Sequence, residues 1–120
     1  MYTFAFEKLE VWQLSRQFVT KIYKITASFP EEEKFGLVSQ IRRASVLISS
    51  NLEEGNSCFS KNDKARFFMI SYSSLMEVIN QLIISFDLGF IYEKQLNELR
   101  VDSSELSNKI NALYKSAKNK

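Results

Sequence analysis

The residues able to do chemistry in this chain are few, and their types limit it more than their spacing does. Among 120 residues there is no His and one Cys, with 14 Asp and Glu against 16 Lys and Arg. Without imidazole there is no histidine general base and no Ser-His or Cys-His nucleophile pair, and one thiol cannot build an ordinary zinc cage. Cys58, in a stretch with Ser57 and Ser60, therefore reads as a small packing residue, because no base stands ready to raise its thiolate fraction. Glu53 and Glu54 are adjacent carboxylates, but neighbouring helical positions point about 100° apart and do not converge on one proton or cation. Arg43, Glu54 and Glu77 could meet across helices. Such a cluster is more often a structural network than a catalytic one where no nucleophile or Gly-rich phosphate loop accompanies it. No catalytic residue, metal site or cofactor is expected.

The formal net charge of +2 is far from the strongly basic balance of non-specific nucleic-acid binders. The opening MYTFAFEKLE lacks the basic start and apolar stretch of a secretion signal, and no run approaches the roughly 20 apolar residues that span a bilayer. A cytoplasmic protein with no membrane role is the expectation, and a lone thiol fits that reducing compartment.

The elements that would carry these residues are helical. Hydrophobic residues make up 45% of the chain, with only 3 Gly and 1 Pro, a composition suited to one packed domain over residues 1–120. Val11, Ser15, Phe18, Ile22, Ile25 and Phe29 recur at 3-and-4 spacing and predict a helix over about 7–28. Pro30 with Glu31, Glu32 and Glu33 predicts the start of a second, which carries Val38, Ile41, Ser45, Ile48 and Leu52 and ends at Gly55 as a left-handed cap, about 31–55. Ser60 and Asp63 supply cap chemistry for a third, about 60–88, with the stripe Ala65, Phe68, Tyr72, Leu75, Ile79, Leu82 and Phe86 and Gly89 as its stop. Leu96, Leu99, Ser103, Leu106, Ile110, Leu113 and Ala117 mark a fourth, about 93–118. Connections this short cannot return the chain along a helix roughly 35 to 40 Å long, so neighbours must run antiparallel. The predicted fold is all-α, an up-down-up-down four-helix bundle.

Three helices carry more than one core stripe. The third adds Arg66, Phe67, Ile70, Ser73, Ser74, Glu77, Gln81 and Ile84; the second adds Gly36, Gln40, Arg43, Leu47 and Glu54; the first adds Leu9, Trp12, Arg16, Val19 and Tyr23. Apolar residues in rows on a second face call for a further partner, and self-association is the expectation. Arg43, Leu47, Asn51, Glu54, Ile70, Ser74 and Glu77 are the candidate oligomer interface or polar network.

The order of motifs resembles a known family. FEKLEVWQLSRQF at 6–18, FPEEEKFGLVSQIRRASVLISSNLEEG at 29–55 and FFMISYSSLMEVINQL at 67–82 are similar to the successive signatures of the bacterial four-helix bundle family, also called the S23 or ribosomal RNA intervening-sequence protein family. The most specific pieces are Gln40-Ile41-Arg42-Arg43-Ala44, Asn51-Leu52-Glu53-Glu54-Gly55 and Ser74-Leu75-Met76-Glu77. Glu53 departs from the small or apolar residue common there, and no Pro stands within 47–50. The resemblance implies a cyclic pentamer with a central channel. Some members are encoded within insertions in large-subunit ribosomal RNA genes, and a related branch serves diversity-generating retroelements as the accessory protein that partners reverse transcriptase.

Two functions follow as expectations. In the first, a ring-forming, non-enzymatic scaffold binds RNA or DNA by repeating a modest patch of Arg16, Lys21, Lys24, Arg42, Arg43, Lys115, Lys118 and Lys120. In the second, the assembly is an adaptor for partner proteins and the same cations are a solvated face.

Overall fold

The computed structural model describes residues 1–119, so Lys120 lies outside the described residues. Four helices follow in order: α1 Glu10–Thr26, α2 Leu37–Ser57, α3 Lys61–Asp87 and α4 Glu93–Lys118, with 3-10 turns at Ala5–Lys8 and Glu31–Glu33. Among the described residues there is no strand. Each helix packs on its chain neighbours and α4 returns to α1, which makes the fold an antiparallel four-helix bundle.

Local hydrogen bonds explain where the helices begin and end. α1 starts at Glu10 rather than near residue 7, because Phe4 and Glu7 close a separate turn in which the Phe4 N–H donates to Glu7 Oε2 at 2.8 Å. After Pro30 the three glutamates form only a 3-10 turn. α2 begins at Leu37, whose N–H donates to Glu33 Oε1 at 3.3 Å across Gly36. The expected cap at Gly55 is corrected: α2 runs on to Ser57, and Gly55 is a buried interior residue where a Cβ would stand 2.6 Å from the Phe68 ring. This glycine is needed for close helix approach, not for a left-handed turn. Lys64 Nζ instead donates to the Gly55 and Asn56 carbonyls at 3.2 and 3.0 Å.

α3 opens as expected, with the Asp63 N–H donating to Ser60 Oγ at 3.1 Å. It closes at Gly89, the position with φ of 80°, where the Gly89 and Phe90 N–H groups donate back to the Phe86 and Ser85 carbonyls at 2.9 Å. α3 is long and apolar enough, by length and composition alone, to cross a membrane, contrary to the expectation that no run approaches this. Its packing accounts for that composition, since α3 is covered by both α2 and α4.

The core joins the expected stripes. Val11, Phe18, Ile22 and Phe29 meet Val38, Ile41, Ile48 and Leu52, with Phe68, Leu75 and Leu82 from α3 and Leu96, Leu99, Leu106 and Ile110 from α4. The serines within the stripes are buried too: Ser15 Oγ shares a hydrogen bond with Ser49 Oγ across α1 and α2 at 2.8 Å, and Ser103 Oγ donates within its own helix to the Leu99 carbonyl at 2.7 Å. Val78, Ser71 and Ser85 are buried outside the expected α3 stripe, because α3 packs on two sides.

Candidate functional site

Small residues bring α2 and α3 together, and the outer side of their seam gathers the candidate interface residues. Ser71 Oγ donates to the Ile48 carbonyl at 2.8 Å, which sets the antiparallel register. That register puts Glu77 level with Arg43 and Glu54 level with Arg66, so Arg43, Glu54 and Glu77 do not meet as one cluster. Arg43 has no ion-pair or hydrogen-bond partner among the described residues. Asn51 and Ser74 are buried in the seam and bond within their own helices, Asn51 Nδ2 to the Leu47 carbonyl at 2.8 Å and Ser74 Oγ to the Ile70 carbonyl at 2.9 Å. They belong to helix packing rather than to a free second face. Leu47 is half-buried and Ile70 is 40% exposed; Val46, Met69 and Ile84 are exposed elsewhere on the same two helices.

Gln81 is the unsatisfied member of this seam. Its Nε2 donates to Glu77 Oε2 at 3.2 Å, while its Oε1 is buried without a partner in a side chain only 5% exposed. An unpaired buried acceptor costs about 1–3 kcal/mol.

The candidate phosphate-binding cations do not form one patch. Arg42 is used inside the protein: its Nε donates to Thr26 Oγ1 at 2.9 Å, its guanidinium to the Tyr23 carbonyl at 3.2 Å, and it lies 4.4 Å from the Tyr23 ring centroid. Lys21 pairs with Asp102 at 2.8 Å across the α1–α4 seam. Arg16 projects from α1 over the Trp12 ring at 5.7 Å. Lys24 and Arg42 stand at the end of the bundle where α1 passes to α2, whereas Lys115 and Lys118 stand at the opposite end. There Lys118 shares a shallow hollow with Asn62, Arg66 and Tyr114. Arg66, which the sequence offered only as part of an interface stripe, thus joins Lys118, while its guanidinium also lies 3.8 Å from Asp63. Glu53 accepts from Ser57 Oγ at 3.1 Å while Glu54 is exposed, so this carboxylate pair diverges.

Lys109 pairs with Glu10 at 2.7 Å, and the hydrogen bond and charge of that carboxylate hold its ammonium pKa above the ordinary lysine value. Among the described residues no group of three or more His, Cys, Asp and Glu gathers as metal ligands.

The fold defines the class of protein as an antiparallel four-helix bundle. The family model for the 23S rRNA-intervening sequence protein matches residues 7–112, and the chain belongs to that family. Its fold is shared by a crystal structure from Bacteroides thetaiotaomicron, described as a protein with unknown function from the S23 ribosomal protein family. That chain is 23% identical, with a TM-score of 0.79 over 88% of this chain and 95% of the other. Comparison with curated proteins finds no match.

Proposed function

We propose that this chain is a non-enzymatic scaffold that assembles side by side with copies of itself through the outer face of α2 and α3, in a ring such as the family resemblance implies. The observation that carries this reading is one outer face that holds exposed Ile70 together with an Arg43 that has no partner among the described residues. A docked neighbour covers the apolar side chain and offers Arg43 an acceptor in one step. Replacing Ile70 or Leu47 by Glu is expected to dissociate the assembly while circular dichroism still reports the helices. Light scattering gives the size, and a wild type that is monomeric at tens of micromolar, a rough working range for weak interfaces, overturns the reading.

Nucleic-acid binding is the second reading, and the hollow shared by Arg66 and Lys118 near the end of α4, where Lys115 also stands, favours it. A ring repeats that end, so modest charge per protomer becomes a multivalent surface. Affinity for a single-stranded oligonucleotide should then fall linearly in logarithm with salt, with a shallower slope after Lys115→Gln and Lys118→Gln. No binding even at low salt leaves a protein-only adaptor as the function.

A further inference from the structure

The Asp and Glu residues of this chain are unevenly placed along it. Residues 11–26 of α1 and 37–52 of α2 carry five Lys and Arg and no Asp or Glu, whereas α3 carries three of each sign and α4 five basic against four acidic. One of the five cations, Lys21, is drawn to the far side of α1 by Asp102 of α4. The flank that α1 and α2 form together therefore keeps a positive charge that no carboxylate along those stretches cancels.

On that flank the charge is held against aromatic rings. Trp12 and Tyr23 lie three helical turns, about 16 Å, apart on nearly one line of α1, with Val19 between them. Arg16 lies over the Trp12 ring, 5.7 Å from its centroid, and Arg42 reaches from α2 over the Tyr23 ring at 4.4 Å. Neither guanidinium has a carboxylate partner among the described residues. Thr26 Oγ1 and the Tyr23 carbonyl accept from Arg42 and fix its plane, but both are neutral, so its charge and its remaining N–H groups stay uncommitted. A hollow of about 440 Å³ opens beside Trp12 and Arg16, with Gln13, Gln17 and Thr20 on its wall. Glu7 is the one carboxylate there, and its Oε2 accepts from the Phe4 N–H.

We propose that the α1–α2 flank is a track for a single-stranded nucleic acid, with phosphates on the N–H edges of Arg16 and Arg42 and bases stacked on the two arginine–aromatic pairs. The proposal rests on the nucleic-acid reading above and moves its principal site from the end of α4 to α1 and α2. Guanidinium planes and aromatic rings stack on any base, and the guanidinium fork matches a phosphate with two N–H groups. A duplex keeps its bases stacked inside, so these pairs suit an unpaired strand. A second copy of this chain fits the flank less well, because neither α3 nor α4 offers a block of carboxylates to oppose it. The flank includes neither Ile70 nor Leu47, so it stays open in a side-by-side assembly.

Trp12 is the only tryptophan, so its fluorescence reports on this flank alone. Titrating the full chain against dye-labelled single-stranded oligodeoxythymidine reads total binding from the anisotropy of the dye and binding at the flank from Trp12. At low salt the oligonucleotide is expected to quench Trp12 and raise the anisotropy with one midpoint, and both responses should weaken as salt rises. Arg16→Glu, at an exposed position whose side chain makes no hydrogen bond, should weaken binding at least about tenfold, and more than Lys115→Gln with Lys118→Gln. Arg42→Lys keeps the charge but loses the planar fork and should weaken binding as well. Arg42 also holds Thr26 and Tyr23, so circular dichroism accompanies that variant, and Arg16→Glu decides the matter if its helices are lost. If the anisotropy rises while Trp12 is unchanged, or if Arg16→Glu binds as the wild type does, the proposal is overturned and the nucleic-acid reading stands with its site elsewhere. If neither signal changes at low salt, both fall. Poly-glutamate that displaces the labelled strand as effectively as unlabelled oligonucleotide does also overturns it and assigns the flank to an acidic protein.

Discussion

Between α2 and α3 the backbones come close because Ala44, Ser45, Gly55, Ser71 and Ser74 present little side chain, and the contact is sealed by burial and by the Ser71 bond to the Ile48 carbonyl. Between α1 and α4 the backbones approach over only a short stretch. There, Lys21 with Asp102 and Lys109 with Glu10 span the rims of two shallow hollows. The first seam depends on shape, which tolerates little change in volume. The second depends on long charged side chains in solvent, where geometry is forgiving and the energy small. The difference also separates their outer faces: tight packing at α2–α3 buries Gln81 and strands its acceptor, whereas the α1–α4 charges satisfy one another.

The largest effect should come from the core that both seams share. Leu75 and Leu106 are essentially fully buried, and truncating either to Ala should cost about 2–5 kcal/mol in chemical denaturation, through lost burial and a residual cavity. A change under about 0.5 kcal/mol, the range of surface substitutions, would mean that these positions are not core.

A more selective break is Gly55→Val, which pushes side-chain volume into the Phe68 ring and should cost about 1–3 kcal/mol by overpacking. Combining it with Phe68→Leu should cost less than the two single changes together, since the smaller side chain yields the space. Strict additivity would show that the α2–α3 seam adjusts more freely than its packing indicates.

The smallest effects belong to the α1–α4 rim. Lys21→Gln should cost at most about 1 kcal/mol, and less as salt is raised. For Lys109 the sign follows from its raised pKa: the pairing with Glu10 stabilises the fold fully below the ordinary lysine value and is lost as pH rises through the raised one. The stability difference between wild type and Lys109→Gln should therefore vanish at strongly alkaline pH, and a difference that persists there would assign Lys109 a packing role instead.

Much of the bundle was legible because helical periodicity is local. The stripe Leu96, Leu99, Ser103, Leu106 and Ile110 could be read as a buried face, serines included, since a 3-and-4 spacing puts them on one side whatever their neighbours are. The Ser60 cap and the Gly89 stop were legible for the same reason. Gly55 was not: a glycine near a helix end suggests a cap, and only the Phe68 ring reveals that its missing Cβ is what packing requires. The candidate site was legible in part. Leu47 and Ile70 do lie off the core, but Asn51 and Ser74 are seam residues, and Arg43, Glu54 and Glu77 are drawn apart by the register.

By itself the sequence determined the number of helices, their antiparallel order and most of the residues they bury, because period, cap chemistry and connection length act within a few residues or constrain neighbours directly. The tertiary structure alone decided which helix pair packs most closely, which acceptor is stranded in it, that Arg42 and Lys21 are bound within the protein, and that exposed aromatic side chains collect at the two ends of the bundle. Those depend on the register between helices distant in sequence, which side-chain volumes set only once all four are packed.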